Sequence, residues 1–541
     1  MSASHNYLFV SDLHLSEGRL PEDGRFSRNE DFFHDYAFAR FVAYHVQLGK
    51  QNNAPAYLQK PWRLVINGDI FDFLQVVSLP AEGDELFRVR GVRTYAELSA
   101  NERRYGLGTR PKEVVWKLQR IAAGHPLFFQ ALGWFLAHDG NELILLKGNH
   151  DIEIYWPEAQ QVIRQLLVEA YDDWHDEVKL TGGLDSPLPF SAELPENLNF
   201  RRLETAVRFP PSFYLEDGLF YAEHGCQYEP ANAFDNFENP TLPDNPQLIA
   251  LPSGSFFVRY FFNKVEEIHP FADNMKPISR YLAWVIQNAP SAAARFLVDL
   301  LPRFLLAYVK SKLKGLRDWR RRMRGQMRAP QLEAAQFGTG MEKERLAEQL
   351  LTIQEQIRKQ MRRASRMTTI GSLLSIVFRI LGLILFLMAL SSFVQGQFAL
   401  TGIYLILGGL SGLLASMALR LLDKLMSAPY LQLASEAICR LLNDQVEKTG
   451  AARIPYFIFG HDHTASLRIL NEEGEFPQWY VNTGAWIPVF SEEERLLRQD
   501  DQLTFLRLLP DHPEFKRRPP ELLQWSAEAD EPREIRLFAD K

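Results

Sequence analysis

The sequence predicts an α/β fold, because short apolar runs alternate with stretches of helical periodicity. The runs are bounded by Gly, Asp and Asn, which is typical of strands buried on both faces of a sheet. Helical patterns lie between several of them, for example across residues 111–138. The five runs that matter most for function cover residues 7–10, 64–66, 143–146, 219–223 and 456–459.

Each of these runs is followed by side chains that bind metals or move protons. Loops that follow the strands of an open α/β sheet converge on one crevice, so these side chains are expected to lie close together. In chain order they are Asp12 and His14, then Asp69 and Asp72, then Asn149 and His150, then His224, and finally His461 and His463.

Seven of these residues are predicted to hold two divalent ions. Asp12 and His14 lie two positions apart on a segment expected to be extended, so their side chains leave on the same side and bind one ion. Asp69 follows Gly68 in a tight turn, and its two carboxylate oxygens suit it to bridge both ions. The second ion is predicted to be held also by Asn149, His224 and His461, and the first ion also by His463.

The mixture of imidazole, carboxylate and amide donors favours transition metals over an all-oxygen Mg or Ca site. Mn is the first candidate, and Fe, Zn and Co share this ligand chemistry. Two such ions about 3.5–4 Å apart can clamp the entering and leaving oxygens of an in-line displacement at phosphorus. The ligand set therefore predicts an enzyme that hydrolyses bonds to phosphorus.

His150 is the histidine in this set that the ions do not need. It is adjacent to Asn149, so we expect it either to donate a proton to the leaving oxygen or to stabilise charge on the phosphoryl group. Asp72 is placed to fix the tautomer and orientation of the His150 ring. Asp151 and Asp462 lie inside the same motifs, and the sequence leaves open whether they contact the reacting groups or only support the loops.

The motifs resemble the signature blocks of calcineurin-like metallophosphoesterases. The resemblance implies a β-sandwich flanked by helices, a dinuclear metal centre with the ligands given above, and His150 with Asp72 as the catalytic pair. It covers residues 1–230 and 450–510. The matching segments are Asp12-Leu13-His14, Gly68-Asp69-Ile70-Phe71-Asp72, Gly148-Asn149-His150-Asp151, His224-Gly225 and Gly460-His461-Asp462-His463, with Asn482-Thr483-Gly484-Ala485-Trp486 similar to the family's closing strand and turn.

Two alternatives to a general phosphoesterase remain open. The segments 11–15 and 68–72 are similar to those of UDP-2,3-diacylglucosamine hydrolases, which cleave a lipid-linked pyrophosphate, although those enzymes usually carry Arg where this chain has His150. A scaffold that keeps the fold without catalysis is the other alternative. Such a scaffold would be expected to have lost ligands or the proton donor, and none is missing here.

Residues 380–419 form a run of forty positions without a formal charge. A membrane-spanning helix needs about 20 apolar residues, and Gln395, Gly396 and Gln397 offer a turn near the middle of the run. The run therefore predicts a transmembrane helical hairpin with two spans. Cationic residues flank it on both sides, which places both ends and the catalytic domain in the cytoplasm of a multi-pass cell-membrane protein. These residues are Arg362, Arg363 and Arg366 before the run, and Arg420 and Lys424 after it.

Residues 292–327 combine apolar runs with dense Lys and Arg. A basic amphipathic helix of this kind is typical of segments that lie on an anionic membrane surface. Nucleic acid is the competing partner for the same cations, and the neighbouring spans favour lipid, so no nucleic acid is expected. The substrate is expected to be phosphorylated, either lipid-linked or soluble.

The sequence divides the chain into five regions around this hairpin. They are the first part of the phosphoesterase domain (1–289), a basic and helical membrane-surface region (290–367), the hairpin (368–424), the closing part of the phosphoesterase domain (425–515) and a C-terminal tail (516–541). The net charge of −7 conceals a basic middle between acidic ends. Cys226 and Cys439 are the only cysteines, which favours a reducing compartment.

Two stretches between the motifs have less certain roles. Several arginines between residues 88 and 110 either bind a second phosphate of the substrate or form a solvated face. Residues 186–211 are rich in proline and are expected to form an irregular surface loop.

Overall fold

The chain forms a mixed α/β structure with two multi-stranded mixed sheets. The computed structural model describes residues 5–21, 23–51, 53–81, 89, 91–181, 183, 185–229, 231–263, 341–426, 430–450, 452–493 and 496–535. Two compact units are present, one made of Met1–Cys226, Phe234–Thr339 and Cys439–Lys541, and the other of Gln227–Ala233 and Gly340–Ile438. The basic stretch predicted before residue 341 lies outside the described residues.

The first unit contains a seven-stranded sheet with the strand order β16-β15-β14-β1-β2-β3-β4. Strands β1 to β4 run parallel, and β14, β15 and β16 add antiparallel partners on the other side of β1. The strands are β1 Asn6–Val10, β2 Trp62–Asn67, β3 Glu142–Leu146, β4 Val207–Arg208, β14 Thr504–Leu508, β15 Glu521–Ser526 and β16 Glu531–Glu534.

A five-stranded sheet in the same unit has the order β10-β11-β9-β6-β5. Its central strand β9 is parallel to both β6 and β11, and the outer pairs are antiparallel. The strands are β5 Tyr214–Glu216, β6 Phe220–Ala222, β9 Tyr456–Phe459, β10 Ser466–Asn471 and β11 Gln478–Asn482. Two hairpins complete the described strands, with β7 Thr241–Leu242 paired to β8 Asn245–Ile249, and β12 Pro488–Glu493 paired to β13 Leu496–Asp501.

The helices fill the connections between the strands. Three of the longer ones, α3, α4 and α5, begin at a proline, whose fixed φ and missing N–H suit the first helical position. The described helices are α1 Asp35–Leu48, α2 Ala100–Tyr105, α3 Pro111–Gly124, α4 Pro126–Ala137, α5 Pro157–Thr181, α6 Phe200–Ala206, α7 Ser253–Phe257, α8 Met341–Val394, α9 Phe398–Met426 and α10 Tyr430–Thr449.

The five apolar runs predicted as strands are confirmed. They form β1, β2, β3, β6 and β9, and almost every residue in them is buried. Strands β1, β2 and β3 are adjacent and parallel in the first sheet, while β6 and β9 are adjacent and parallel in the second. The carboxyl ends of each set therefore meet at one edge of their sheet.

Side chains of the first sheet alternate between two cores. On β1, Leu8 and Val10 belong to a core that includes residues of α1, α3, α4 and α5, whereas Tyr7 and Phe9 belong to a core shared with the second sheet. The Tyr7 and Phe9 rings meet Phe220 of β6 edge-on, with centroids 5.0 and 4.9 Å apart. Helices thus cover one face of the first sheet and the second sheet covers the other.

A buried arginine links the two sheets at the amino ends of β2 and β3. Arg63 is 7% exposed, and its guanidinium donates to Glu142 at 2.8 Å within the first sheet. It also donates to the Tyr214 hydroxyl at 2.6 Å and to Glu216 at 2.9 Å in the second sheet. This end of the sandwich is held by ionic contacts, which leaves the opposite end of the strands for the predicted ligands.

Two sequence predictions need correction. Residues 516–541, predicted as a tail, supply β15 and β16, and Trp525 of β15 is buried in the core. Residues 186–211, predicted as an irregular loop, contain α6 and the edge strand β4. Strand β4 has two residues and pairs with β3, which is distant in sequence, so local periodicity does not reveal it. Strands β15 and β16 pair with β14 and with each other across short connections.

The second unit contains a helical hairpin, in which α8 and α9 are joined by the turn at residues 395–397. Small residues allow close packing of the two helices, since the Ser411 hydroxyl donates to the Phe378 carbonyl at 2.5 Å and Ser375 donates to Ala415 at 3.2 Å. Gly382 and Gly408 also face each other across the hairpin. The predicted hairpin turn is therefore present in the structure.

One described stretch, Phe398–Met417 in α9, is long and apolar enough to cross a membrane. In its most apolar part, 11% of the residues are buried inside the structure. The apolar part of α8, Leu381–Val394, is shorter. Large apolar side chains on both helices are exposed, including Phe386 at 55%, Leu383 at 59% and Ile406 at 67%. An exposed apolar surface of this kind marks a contact with a membrane or with another protein.

A buried histidine in the first unit provides a test of the packing between α1, α3 and α4. His125 contacts Glu30 at 3.2 Å and Asp35 at 3.0 Å. Burial lowers its pKa, but the two carboxylates outweigh this and raise the pKa to about 10. His125→Ala should lower the free energy of unfolding near pH 7 by about 3–5 kcal/mol, because Glu30 loses its buried counter-charge.

The stabilisation that the His125 ion pairs give the folded state is fully present below about pH 6.5, the pKa of histidine in the unfolded chain. It is lost as the pH rises through about 10, the pKa of His125 in the folded chain. The stability gap between wild type and variant, measured by thermal unfolding in detergent, should therefore narrow from pH 7 to pH 10. His45→Ala is the control, because burial lowers the pKa of His45 to about 3 and the ring stays neutral across that range. The stability difference between wild type and His45→Ala should stay constant over this pH range. If the difference for His125→Ala stays constant too, His125 is not ion-paired in the folded protein.

Candidate metal centre

The predicted ligands follow the carboxyl ends of strands in both sheets. Among the described residues, seven that are not glycine have positive φ, and five of these are predicted ligands. This left-handed conformation costs about 1–2 kcal/mol per residue. The five are Asp12 (φ 53°), His14 (51°), Asp69 (52°), His461 (74°) and His463 (57°).

This backbone corrects one expectation from the sequence. Asp12 and His14 do not lie on an extended segment, because β1 ends at Val10 and both residues are left-handed. Their side chains still meet, with His14 Nε2 3.9 Å from Asp12 Oδ1. The tight turns, and not the two-residue period of a strand, bring the two side chains together.

Three groups of described residues place their ligand atoms close enough together to hold a metal ion, and the first is Asp12, His14 and His463. The third, His14, Asp72 and His150, shares His14 with it. His463 Nε2 lies 3.4 Å from Asp12 Oδ1, and the His14 and His463 rings are 5.1 Å apart. The other oxygen of Asp12 accepts a hydrogen bond from the His461 amide at 3.0 Å. Asp12 thus joins the loop after β1 to the loop after β9.

Asp69, His224 and His461 form the second group. His224 Nε2 lies 3.0 Å from Asp69 Oδ2, and the His224 and His461 rings are 5.3 Å apart. His224 Nδ1 donates a hydrogen bond to the Asn67 carbonyl at 2.9 Å, which leaves Nε2 free to bind a metal ion.

Asp69 links the two groups through a single oxygen. Its Oδ2 lies 3.0 Å from His224 Nε2 and 3.9 Å from His14 Nε2, so it faces both groups. Its Oδ1 accepts the His150 amide at 2.8 Å and is thereby occupied. The sequence predicts that both oxygens of Asp69 serve the two ions, whereas in the structure Oδ1 accepts a hydrogen bond and Oδ2 alone faces both groups.

The buried atoms of these groups fit a metal ion. Ligand atoms about 2.0–2.2 Å from one ion lie about 3 Å from each other, as His224 Nε2 and Asp69 Oδ2 do. A buried polar atom without a hydrogen bond costs about 1–3 kcal/mol, which an ion would relieve. In the described structure, the buried ligand atoms without a hydrogen-bond partner are Asp12 Oδ1, His14 Nε2, Asp69 Oδ2, Asn149 Oδ1 and His224 Nε2.

The site favours cations electrostatically. Burial raises the pKa of Asp12 and Asp69, but the neighbouring histidines outweigh it and hold both pKa values well below the usual range. Burial likewise lowers the pKa of His224, and the Asp69 carboxylate reverses this and raises it to about 9. Two ionised carboxylates are therefore buried among the predicted ligands, which favours the binding of a cation.

Asp72 holds two histidines through one oxygen. His150 Nδ1 donates to Asp72 Oδ2 at 2.5 Å, and His14 Nδ1 lies 3.5 Å from the same atom. Asp72 is fully buried, whereas the His150 side chain is 13% exposed. His150 therefore lies at the open side of the site with a fixed ring, in the place that the sequence predicted for it.

Two glycines make room for the ligands. A Cβ on Gly148 would lie 2.1 Å from Asp69 Oδ1, and a Cβ on Gly68 would lie 2.4 Å from the His224 ring. Gly68 also has φ +90°, which disfavours any side chain. Both glycines precede predicted ligands because the backbone must approach the neighbouring ligand side chain closely.

The residues left open by the sequence take structural positions. Asp151 is fully buried and accepts from the Gly148 amide at 2.5 Å and the Ile70 amide at 2.8 Å. It therefore ties the loop after β3 to the loop after β2. Asp462 is an exposed residue between two buried or half-buried histidines.

Residues at the end of β11 and in the turn after it hold the loops that carry the predicted ligands, and the sequence indicated only part of this arrangement. Asn482 donates to the Gly460 carbonyl at 2.7 Å, and the Trp486 amide donates to the Asp12 carbonyl at 3.2 Å. The Ser11 hydroxyl hydrogen-bonds Thr483 at 2.7 Å. The segment 482–486 resembles a family motif, whereas no sequence pattern around Ser11 indicates that it contacts Thr483.

Two of the described arginines between residues 88 and 110 pair with carboxylates. Arg93 pairs with Glu102 and Glu113, and Arg110 pairs with Glu113 at 3.0 Å. Arg88 and Arg90 lie outside the described residues. Among the arginines that are described, these carboxylate pairs favour a structural role over phosphate binding.

Comparison of the chain with protein-family models, with curated proteins and with solved structures gives no match. The assignment of this site therefore rests on the geometry of its own residues.

Metal content provides the direct test of the site. Asp69→Ala should lose bound metal, because it removes the oxygen that both groups face. Gly148→Ala should also lose metal without changing any ligand, because its Cβ would displace Asp69. The measurement is metal per chain by elemental analysis after loading with Mn and desalting.

Gly409→Ala is the matched control, because no atom lies within 4 Å of the position its Cβ would take. Wild-type metal content in both Asp69→Ala and Gly148→Ala would rule out this site as the metal centre.

Proposed function

We propose that this chain is a membrane-anchored metallophosphoesterase of the calcineurin-like type, which hydrolyses a phosphoester or pyrophosphate bond. The observation that carries the proposal is Asp69 Oδ2, which faces two groups of metal ligands at once. A carboxylate that faces two groups of metal ligands would help to hold two divalent ions, and such a pair would stabilise both the attacking and the leaving oxygen of a displacement at phosphorus. The packing of a second sheet on the first supports the sandwich part of this assignment.

Two divalent ions fit the ligands, and Mn, Fe, Zn and Co all accept this mixture of imidazole, carboxylate and amide donors. When bound, such ions would lower the pKa of water and neutralise charge on the phosphoryl oxygens. The first ion would be held by Asp12, His14 and His463, the second by Asn149, His224 and His461, and both by Asp69.

The residues of the chain supply orientation and proton transfer. Asp72 accepts the Nδ1 proton of His150 and stabilises the doubly protonated ring, whose Nε2 can then donate its proton to the leaving oxygen. The partial exposure of the His150 side chain supports an approach of the substrate from its side. His463, whose side chain is 16% exposed, is on the open side of the first group. The substrate therefore approaches from the side that these two histidines share.

A two-span membrane anchor is part of the proposal. Ligands that precede the hairpin in sequence, such as Asp12, contact ligands that follow it, such as His461 and His463. If α9 crosses the bilayer, the chain must cross back to complete the site, so the number of spans must be even. Helix α8 continues without a break toward its amino end, which allows its span to include residues before Leu381. The cationic flanks favour a cytoplasmic site.

The membrane hairpin favours a lipid-linked pyrophosphate as the more specific substrate. An enzyme fixed at the bilayer meets substrates that are confined to the bilayer. The function is tested by assaying detergent-purified, Mn-loaded protein on a phosphomonoester, a phosphodiester, a nucleoside diphosphate and a nucleoside-diphosphate-linked lipid, with Asp69→Ala as the blank. Hydrolysis of none of these above the blank would refute the proposal and favour a scaffold.

His150→Ala should separate proton transfer from metal binding. Metal content should stay at the wild-type level, while kcat falls by about 10²–10⁴-fold. The fall should be larger for an alkyl phosphate than for a nitrophenyl phosphate, because the nitrophenolate leaves without needing a proton. His512→Ala, which removes a histidine that packs on Tyr57, should leave kcat unchanged.

Equal losses for the two leaving groups would assign His150 to the phosphoryl oxygens instead of the leaving oxygen. Loss of metal in His150→Ala would make the residue a ligand.

Membrane insertion should be visible in extraction and labelling. Alkaline carbonate and high salt should leave the protein in the membrane, because buried apolar side chains do not respond to ionic screening. Both native cysteines are buried, so introduced cysteines can be labelled selectively. Gln397→Cys in the hairpin turn and Lys359→Cys, at an exposed position before the hairpin, should be labelled from opposite sides. Labelling of both from one side would mean that the hairpin does not span.

A further inference from the structure

The segment 253–263 runs beside the catalytic loops and is the last described part of the first unit before residue 341. We call it the strap. It is helical, and Val258–Phe262 adopts a π-helical turn, a rare conformation that often marks functional sites. Three of its side chains, Ser255, Arg259 and Asn263, are buried with exposures of 1%, 7% and 1%.

Asn263 contacts the loop that carries Asp72. Its amide nitrogen Nδ2 donates to the Leu74 carbonyl at 2.7 Å. On the same loop, the amides of Leu74 and Gln75 donate to Asp72 Oδ1 at 2.9 and 3.0 Å. The strap therefore holds a carbonyl of the peptide turn that fixes the Asp72 side chain.

The same loop reaches His150 through its backbone. The Phe73 amide donates to the His150 carbonyl at 3.3 Å, and Lys117 of α3 donates to the Phe73 carbonyl at 2.7 Å. Two buried donors, Lys117 and Asn263, therefore hold consecutive carbonyls directly after Asp72. The geometry between Asp72 and His150 depends on both.

The strap itself is anchored by Arg259. Its guanidinium donates to the carbonyls of Gly106 and Leu107 at 2.9 and 2.6 Å. Gly106 approaches the Val76 carbonyl so closely that an added Cβ would lie 2.7 Å from it. The strap thus contacts Leu74 directly, through Asn263. It contacts Val76 indirectly, because Arg259 holds Gly106 and Gly106 packs against the Val76 carbonyl.

We propose that the strap is a positioning element for the Asp72 and His150 pair, and that Asn263 is the residue through which it acts. The proposal rests on the phosphoesterase function proposed above. A displacement of about 1 Å in a reacting group can cost 10²-fold in rate, so a hydrogen bond that fixes the loop has a catalytic effect without touching substrate. The described hydrogen bond of Asn263 goes to Leu74 and not to a predicted metal ligand, so its loss should leave metal binding intact.

The first test compares Asn263→Ala and Asn263→Asp with wild type in the full chain. Asp has the shape of Asn but, when ionised, has no proton to donate to the Leu74 carbonyl. Both variants should lower kcat by about 10–100-fold, with KM within about twofold and metal content unchanged. Asn101→Ala is the matched control, because Asn101 is an exposed asparagine that contacts the strap at Tyr260 and makes no described contact with the Asp72 loop.

The second test is a double-mutant cycle between Asn263 and His150. If Asn263 acts through the His150 and Asp72 geometry, Asn263→Ala should cost little further activity in a His150→Ala background. A purely structural role would give the same loss of activity in both backgrounds. Equal losses would therefore overturn the proposal, as would unchanged kcat in both Asn263 variants.

The third test does not depend on activity. Hydrogen exchange of the peptide that covers residues 72–76, followed by mass spectrometry, should be faster in Asn263→Ala than in wild type or Asn101→Ala. Exchange at the wild-type rate would overturn the proposal. If wild type hydrolyses none of the substrates, the proposed function fails, and the exchange result alone then decides whether the strap holds the loop.

Discussion

Asp69 Oδ2 is the atom on which the arrangement of the site depends. It lies between two groups of predicted ligands, each of which draws residues from the ends of strands in both sheets, so both sheets must be placed relative to one carboxylate oxygen. Its other oxygen accepts a hydrogen bond from the His150 amide, which fixes the backbone of His150 beside Asp69. The absence of a side chain at Gly148 follows from the same constraint, because a Cβ there would collide with Asp69.

Holding these ligands together carries a conformational cost. Five of them are in the left-handed region, and several buried ligand atoms lack hydrogen bonds. The surrounding structure stabilises this arrangement through contacts between the strand-end loops, such as those of Asp151 and Asn482. At the other end of the sandwich, Arg63 joins the same two sheets through ionic contacts. Backbone strain concentrated at one end of a well-packed scaffold is typical of functional sites.

The long insertion between β8 and β9 separates the last two histidine ligands from the others in sequence. Strand β9 nevertheless pairs with β6, which precedes the insertion, so the second sheet closes across it. The exposed apolar hairpin and the strap both lie within this insertion. The site and the proposed anchor are therefore parts of one chain path, and the strap is a part of this insertion that hydrogen-bonds the loop after β2, through Asn263.

The sequence by itself determined the five strands, the α/β class, the hairpin turn and the identity of the candidate ligands. These features are local, since a short apolar run followed by Asp, Asn or His is visible without knowing its partners. Tertiary structure decided the rest. The placement of Asp69 Oδ2 between two groups of predicted ligands, the left-handed turns at Asp12 and His14, the edge strand β4 and the hydrogen bond from Asn263 to Leu74 all depend on residues distant in sequence. Backbone conformation and pairing at such positions are set by contacts that form only when both sheets are assembled, so no local pattern records them.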